Sequence, residues 1–410
     1  MARSEPEGGG PASRRTLGLF LVILALMVEG FDLQTANLAG PSIIAQFGIS
    51  RSQLGPLLSA SLFGILIGAT LIAPFGDRFG RKRIIVIASA AYGMLSLTAA
   101  AATSVGQLAV LRFLIGIGLG AVMPNGLAMA GALYDARRHA SATAFAGIGI
   151  TLGSAVAGIT AARVLPVYHW QGLFVVGGVL PLLIAAIIAV ALREVRPTAD
   201  TASIGTSPGG LGIILAPALR GTTIITWLMF VCVALNVHLL ASWIPLLMKG
   251  AGHSAAGAAW VTTGFHVGGV LGGIVASLLL RRAHWHAVAI FAGCAALTML
   301  TLALLPAAAG ITILLIACAG FFVTGIQNGL NGAASDIYPA GCRATGLGWG
   351  LGVARIGAIM GPMVGTLAAV TGVDRDQRFF LIPAGPLLLV LLLAIIVSRR
   401  VGRRATEVSR

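Results

Sequence analysis

Two carboxylates lie three residues apart inside an apolar run, in the sequence Glu29-Gly30-Phe31-Asp32. The run, residues 17–38, is long enough to cross a bilayer, which takes about 20 helical residues. In a helix the i, i+3 spacing puts both carboxylates on one face, roughly 5–6 Å apart, and Gly30 between them would let a neighbouring backbone come close. A charge at that depth costs about 2.5–3.5 kcal/mol and is rarely kept without a use. The pair predicts a polar, proton-binding site within the membrane; the alternative is two helix-end residues at the water interface.

Arg355 is the second chemically informative residue. It lies about 12 residues into another apolar span, roughly 18 Å along a helix and so near the bilayer centre. An Arg there needs an anion, and its planar guanidinium suits a carboxylate in two-point contact. That anion is either Asp32 or Glu29, in a structural salt bridge, or the carboxylate of a substrate. We favour competition between substrate and protein carboxylates, so that protonating the protein acid frees Arg355.

Arg112 is the other arginine within a span. It opens the run Arg112-Phe113-Leu114-Ile115-Gly116-Ile117-Gly118-Leu119-Gly120, whose glycines permit close helix packing. Its charge is permanent. Arg112 either acts inside the membrane or extends to the interface near Gln107.

Further side chains within the spans could complete a cavity. The aromatic ones would stack on a ring or only pack, and the histidines would relay protons or only join helices. The amides are stronger candidates, because a polar amide at membrane depth usually has a partner or a ligand. The candidates are Phe31, Trp243, Phe265, Trp349, His238, His266, Asn125, Gln327 and Asn328.

The composition requires a membrane to hold these residues. The chain has 410 residues, of which 57% are hydrophobic and only 10% charged, against about 25% charged in soluble domains. Its mean hydropathy is +0.96. Twelve apolar segments of spanning length predict an all-α membrane protein, since barrel strands would be short and alternating. The segments begin near Leu17, Gln53, Ile84, Gln107, Ala142, Gly172, Thr223, Ala258, Ala287, Ile311, Ala344 and Phe379.

The net charge of +15 indicates topology rather than nucleic-acid binding. Of the 27 Lys and Arg residues, twenty fall in loops and tails on the side of the N-terminus and five on the other side. Cytoplasmic loops carry the excess of Lys and Arg, so both termini are predicted to be cytoplasmic. The protein is expected in the cell (inner) membrane.

A polar stretch divides the spans into six and six. We predict a tail at 1–16, a six-helix bundle at 17–192, a cytoplasmic linker at 193–221, a second six-helix bundle at 222–398 and a tail at 399–410. The halves are related by an offset of about 204 residues, which brings Gly153 onto Gly357 and Asp32 onto Asn236. Two parallel repeats of this kind place a substrate site near the bilayer midplane between the halves.

The sequence Gly76-Asp77-Arg78-Phe79-Gly80-Arg81-Lys82-Arg83 joins spans two and three. Its spacing resembles the cytoplasmic-loop signature of the major facilitator superfamily, Gly-x-x-x-Asp-Arg-x-Gly-Arg-Arg, with Ala73 or Pro74 in place of the first Gly. The resemblance implies a cytoplasmic gate in which Gly76, Asp77, Arg78, Gly80 and Arg81 lock the outward-open state. The second-half counterpart, residues 280–284, lacks the acid.

Two more stretches resemble the aromatic acid:proton symporters of that superfamily. They are Met123-Pro124-Asn125-Gly126 and residues 338–362, from Tyr338-Pro339-Ala340 to Met360-Gly361-Pro362. The family's first-span motif, Asp-Gly-Phe-Asp, corresponds to Glu29-Gly30-Phe31-Asp32. The resemblance covers essentially all twelve spans.

This resemblance implies proton-driven uptake of a benzoate-like anion by alternating access. Together with this resemblance, the first-span acids and the span-four arginine are assigned to proton coupling: Asp32, Glu29 and Arg112. The chemistry of the other span residues assigns to substrate binding Arg355, Asp32, Phe31, Asn125, Gln327, Asn328, Trp349 and His266. One departure is Ala132-Leu133-Tyr134, where the family commonly has Ser-Glu-Tyr, so part of its coupling machinery is altered here.

Two other functions stay open. A proton-coupled exporter of the same fold usually carries a proline-glycine motif in span five, where this chain has Gly153-Ser154-Ala155-Val156-Ala157-Gly158. A non-transporting receptor for an aromatic acid would have little need of a proton-binding acid. No nucleophile–base set or metal spacing indicates an enzyme, and no cofactor is expected beyond the proton gradient. The expected partners are an aromatic carboxylate, protons and lipid, without nucleic acid, and the working expectation is a monomer.

Overall fold

A computed structural model describes nine segments of the chain, which are residues 12–134, 136–192, 194, 210–279, 284–305, 309–335, 337–339, 342–373 and 377–408. The described chain is helical. The helices are α1 (Ala12–Phe47), α2 (Leu54–Ile67), α3 (Phe75–Phe79), α4 (Arg81–Ala100), α5 (Val105–Ala132), α6 (Ala136–Ala191), α7 (Gly210–Ile214), α8 (Arg220–Gly250), α9 (Ala255–Leu279), α10 (His284–Leu304), α11 (Ala309–Ser335), α12 (Arg343–Thr371) and α13 (Leu381–Val408).

Local chemistry explains several helix ends. The Ser104 hydroxyl accepts a hydrogen bond from the Gln107 N–H at 3.2 Å and caps the start of α5. Gly80 separates α3 from α4 with φ 102°, a conformation that a side chain would strain. Gly372 ends α12 in the left-handed region.

Eleven helices within the described segments are long and apolar enough to cross a membrane. The longest of these segments, Ser141–Ala191, has 51 residues, about 75 Å of helix against a hydrocarbon core of about 30 Å. Its helical geometry breaks at His169 (φ 52°, ψ −161°). The prediction of twelve spans depends on this break separating spans five and six.

Large apolar side chains remain exposed on the outward helix faces, among them Phe20 (54%), Ile87 (64%) and Leu367 (66%). A soluble monomer rarely leaves such faces uncovered, whereas lipid tails solvate them. The chain is a multi-pass membrane protein.

The chain forms two compact units. The first comprises Met1–Ser42 and Ala60–Thr198, and the second comprises Ile43–Ser59 and Ala199–Arg410. Most of the predicted linker, the N-terminal tail up to residue 11 and the second-half loop at 280–283 lie outside the described residues.

The helices of each unit pair in the same order. In the first unit, α1 contacts the part of α6 before the break, α2 contacts α5, and α4 contacts the part of α6 after the break. In the second unit, α8 packs on α12, α9 on α11, and α10 on α13.

Glycines carry these pairings, and their contacts recur at an offset of 204 residues. At each such glycine, an added Cβ would overlap a carbonyl oxygen of the partner helix, so the two backbones touch. The contacts are Gly153 with Met27 and Gly357 with Val231, Gly116 with Ser61 and Gly320 with Phe265, Gly64 with Phe113 and Gly268 with Ala317, and Gly68 with Ile117 and Gly272 with Phe321. The offset deduced from the sequence is therefore repeated in the packing.

Candidate functional site

A buried ion pair joins α1 to α5. Arg112 Nη1 donates to Asp32 Oδ2 at 2.8 Å, and the side chains of Arg112 and Asp32 are only 2% and 0% exposed. Arg112 is thus enclosed by protein, which excludes the alternative in which it extends to the interface. Asp32 lies in the middle of α1, which continues to Phe47, so it does not end a helix.

Ser61 and Phe174 hold the guanidinium in place. Arg112 Nη2 donates to Ser61 Oγ at 3.0 Å, and the guanidinium carbon lies 5.9 Å from the centroid of the Phe174 ring, within cation–π range. The glycine contact between Gly116 and the Ser61 carbonyl brings α2 close enough for this arrangement. Ser61 and Phe174 were not predicted, because a serine or a phenylalanine in an apolar span gives no distinctive signal.

One oxygen of Asp32 stays without a hydrogen bond. Within the described part of the chain, neither Asp32 Oδ1 nor Arg112 Nε has a hydrogen-bond partner. Oδ1 lies 3.6 Å from the point that a Cβ on Gly177 would occupy. A buried, unsatisfied carboxylate oxygen is costly, and a proton would relieve that cost.

Glu29 is also buried, at 2% exposure. Between the two carboxylates, Gly30 lies against the Ile150 carbonyl with no space for a Cβ, and Ser154 Oγ donates to the Gly30 oxygen at 3.0 Å. The predicted close approach at Gly30 is confirmed. Tyr92 on α4, 1% exposed, interacts electrostatically with both Asp32 and Glu29.

The second unit gathers a different polar set on α8, α9 and α12. Arg355 is half-buried and interacts electrostatically with His238, which interacts in turn with His266. Nε2 of His266 is buried and has no hydrogen-bond partner among the described residues. Asn236, offset by 204 from Asp32, is fully buried and donates to the Cys232 oxygen at 2.8 Å. A neutral amide here replaces the acid of the first unit.

The aromatic candidates have different surroundings. Trp243 is fully buried, stacks on Phe379 and donates its N–H to the Pro362 oxygen at 3.1 Å; Phe265 is 1% exposed. Both belong to the packed interior. Trp349 keeps 38% exposure beside Trp227, with ring centroids 6.1 Å apart. Phe31 is 2% exposed next to Gly177.

The side chain of Asn125 binds next to the loop motif and not next to Arg112. Its amide donates to the Ala73 oxygen at 3.1 Å and the Ala121 oxygen at 2.8 Å, which uses both hydrogens, and its oxygen fills the space beside Gly76. Along α5 it is about 20 Å from Arg112. Its place in a substrate site stays a prediction, in which both amide hydrogens are already used within the protein.

The other two amides lie on α11. Asn328 is exposed and donates to its own-helix Thr324 oxygen at 3.2 Å. Gln327 is half-buried.

The loop motif is tied to the end of α6. Arg81 makes a two-nitrogen contact with Asp77 Oδ1, at 3.0 and 3.2 Å, while Arg78 is exposed. Glu194 Oε1 accepts from the Lys82 N–H at 3.1 Å, and Glu194 Oε2 would be 2.6 Å from a Cβ on Gly80. A carboxylate at the start of α4 is favourable, because that end carries partial positive charge. Glu194 was not predicted.

A metal site is not apparent: within the described residues no three His, Cys, Asp or Glu side chains are grouped to hold one.

Comparisons with known proteins agree with these features. A model of the Major Facilitator Superfamily matches residues 22–362. The chain is 31% identical to a gallate transporter of Pseudomonas putida, over 96% of this chain and 94% of the relative. It is 33% identical to the 4-hydroxybenzoate transporter PcaK of the same species, over 89% of each, and 31% identical to the 3-(3-hydroxy-phenyl)propionate transporter of Escherichia coli (strain K12), over 95% and 96%. Among solved structures, an inward-facing bacterial homologue of the human lysosomal transporter Spinster has a TM-score of 0.76 at 19% identity, covering 95% of this chain and 98% of that one.

Proposed function

The chain belongs to the Major Facilitator Superfamily, and from that premise we propose that it is a proton-coupled importer of a small aromatic carboxylate in the inner membrane. The family and the relatives are transporters and not enzymes. Three relatives are named for hydroxylated aromatic acids, which supports this substrate class. Uptake by alternating access, with twelve spans and cytoplasmic termini, completes the proposal.

The single observation that carries proton coupling is the buried pair of Asp32 and Arg112. A proton on Asp32 would neutralise it and open the ion pair, while Ser61 and Phe174 keep the guanidinium in place. Opening a buried pair changes the electrostatic energy of the site by several kcal/mol, enough to bias two conformations. Glu29 and Tyr92 lie close enough to modulate this step.

We assign the substrate carboxylate to Arg355, with His266 and Trp349 as further contacts in the second unit. An unpaired carboxylate in a low-dielectric cavity costs several kcal/mol, and the guanidinium of Arg355 can offset it. His266 has a buried nitrogen available for a substrate hydrogen bond. Asp32, Phe31, Gln327 and Asn328 remain proposed contacts.

The test is uptake of labelled benzoate, 4-hydroxybenzoate and gallate into proteoliposomes, with and without a proton gradient. We expect wild-type protein to accumulate at least one of them only with the gradient. Asp32→Asn should abolish accumulation yet keep counterflow exchange, since it mimics the protonated acid. Glu29→Gln should reduce gradient-driven accumulation less than Asp32→Asn does.

Asp77→Asn is the matched control, because it removes an acid of which 65% is exposed and should preserve the accumulation ratio. If the Asp32→Asn variant accumulated substrate to the wild-type level, Asp32 would not be the residue that couples transport to protons. Gradient-driven efflux would indicate the exporter, and binding without counterflow would indicate the receptor.

A further inference from the structure

Ser96 is a buried hydroxyl beside the proposed proton site. It lies on α4 with 0% exposure, and its hydroxyl donates to the Phe174 oxygen on α6 at 3.1 Å. Its side chain also interacts with that of Asp32. Ser96 Oγ and Asp32 Oδ1 border the same point beside Gly177, at 3.4 and 3.6 Å.

The direction of the Ser96 hydrogen bond determines what it can offer Asp32. A serine hydroxyl has one hydrogen and two lone pairs, and the hydrogen is used by the Phe174 oxygen. What remains for Asp32 is a lone pair. An ionised carboxylate only accepts hydrogen bonds and cannot use it, whereas a protonated carboxyl can donate to it.

The two carboxylate oxygens of Asp32 differ in their hydrogen-bond partners. Oδ2 is occupied by Arg112, and Oδ1 has no hydrogen-bond partner among the described residues. A proton would therefore bind to Oδ1, the oxygen that faces Gly177. There the carboxyl hydrogen would meet the Ser96 lone pair.

We propose that Ser96 accepts the hydrogen bond of protonated Asp32 and thereby sets the pH at which the transporter takes up its proton. The proposal rests on Asp32 as the coupling acid. Ser96 is a positioning residue: it carries no proton of the cycle and stabilises one protonation state of its neighbour.

Other groups also act on Asp32. Arg112 faces it from α5, Tyr92 from α4, and Glu29 lies one turn away on α1. From α2, Ser61 binds Arg112, and α6 contributes Phe174 and Gly177. Replacing Arg112 or Glu29 would change the charge of the site, whereas Ser96→Ala leaves it unchanged and isolates the hydrogen bond.

The decisive measurement is the pH profile of uptake in proteoliposomes. Ser96→Ala removes the acceptor of the protonated acid, so protonation needs a higher proton concentration. We expect the pH of half-maximal uptake to fall by about 0.5–1 unit, which is the shift that losing the free energy of one ordinary hydrogen bond produces. A shift to higher pH would show that the hydroxyl instead serves the ionised acid. That result, or an unchanged profile, overturns the proposal.

Ser154→Ala is the matched control. Ser154 also donates its hydroxyl to carbonyl oxygens of the first unit, those of Gly30 and Ile150, and among the described residues it makes no hydrogen bond to Asp32. If Ser96 only stabilised packing, both variants would lower the amount of folded protein without moving the pH midpoint.

Infrared difference spectroscopy on the purified protein provides a readout that does not need transport. The C=O stretch of protonated Asp32 is the band that Asp32→Asn removes. Ser96→Ala should move it to higher wavenumber, and Ser154→Ala should leave it in place. A wild type with neither pH-dependent uptake nor this band would contradict the proposed function, whereas a band unmoved by Ser96→Ala contradicts only the role of Ser96.

Discussion

Each member of the Asp32–Arg112 pair depends on the other for its burial. Removing one partner of a buried ion pair leaves an uncompensated charge and typically costs about 3–5 kcal/mol. The Asp77–Arg81 pair on the loop differs, because Asp77 is 65% exposed and ion pairs open to solvent are worth about 0–1 kcal/mol. The two pairs can therefore be compared within one chain.

We expect Arg112→Gln to destabilise the protein by about 3–5 kcal/mol, because it strands Asp32. The double variant Arg112→Gln, Asp32→Asn should lose about 1–3 kcal/mol less stability than the two single variants lose in sum. Chemical unfolding in detergent micelles measures both. The control is Asp77→Asn, which removes an acid that is 65% exposed and should cost no more than about 1 kcal/mol. Additive effects would mean that the pair is not coupled.

Arg355 permits a separation of geometry from charge. Arg355→Lys keeps a cation but loses the planar fork, so it should impair binding of 4-hydroxybenzoate, and Arg355→Ala should nearly eliminate it. Equilibrium binding to the purified protein is the measurement. The control is Arg343→Ala, an exposed arginine at the start of the same helix. Wild-type affinity in Arg355→Ala would place the carboxylate elsewhere.

At the residue scale, type and depth were predictable but pairing was not. The cost of burying Asp32 and Arg112 indicated a function for each. Which cation meets which acid depends on how α1, α5 and α2 rotate about their axes, and residues 80 apart in the chain carry no local signal of it. The contacts of Asn125 near the loop were not predictable for the same reason: the sequence of an apolar run does not indicate whether its amide faces a cavity or a loop.

Backbone contact at glycines is the main packing device of the helices. Gly357 on α12 touches the Val231 carbonyl. A Cβ added to Gly352, on the same helix, would have no atom of the described residues within 4 Å. A methyl group at the first position must push α8 away. At the second it only raises helix propensity.

Accordingly, Gly357→Ala should lower stability by about 1–3 kcal/mol, as overpacking does, and Gly352→Ala should be neutral or stabilise by up to about 1 kcal/mol. Thermal unfolding of the two purified variants in one detergent gives the comparison. Equal effects of the two substitutions would argue against a tight contact at Gly357.

Helix identity was predictable from hydropathy, because span length and loop charges are local properties. Helix ends were less so. The structure extends α1 to Ala12–Phe47, beyond the apolar run at 17–38, and α6 runs through the predicted boundary between spans five and six with one non-helical residue, His169. Polar residues flanking a span can continue its helix, so composition does not mark the end.

Across the whole molecule, the loop motif should affect movement more than binding. Asp77→Asn removes the acid that Arg81 contacts and should lower the maximal uptake rate several-fold with little change in substrate affinity. Initial rates over a range of substrate concentrations separate the two. A large affinity change at an unchanged maximal rate would tie this loop to the substrate site.

The number of spans can be tested by labelling. With Cys232, Cys294, Cys318 and Cys342 replaced, Tyr168→Cys next to the break should react with an impermeant maleimide in intact cells, since Tyr168 is 67% exposed. Arg78→Cys on the predicted cytoplasmic loop should react only after permeabilisation. Labelling of both from the same side would rule out twelve spans with this orientation.

The pairing of α1 with α6 has a consequence for biogenesis. Met27 meets Gly153, so the backbone surface of the first helix is completed only after more than a hundred further residues have left the ribosome. Asp32 itself must stay in the lipid or the translocon without a partner until Arg112, 80 residues further along the chain, has been made. Helix insertion therefore precedes helix pairing here, and the same delay recurs 204 residues later. Synthesis that stalls before α6 would leave a membrane-inserted but unassembled protein, exposed to quality-control proteases.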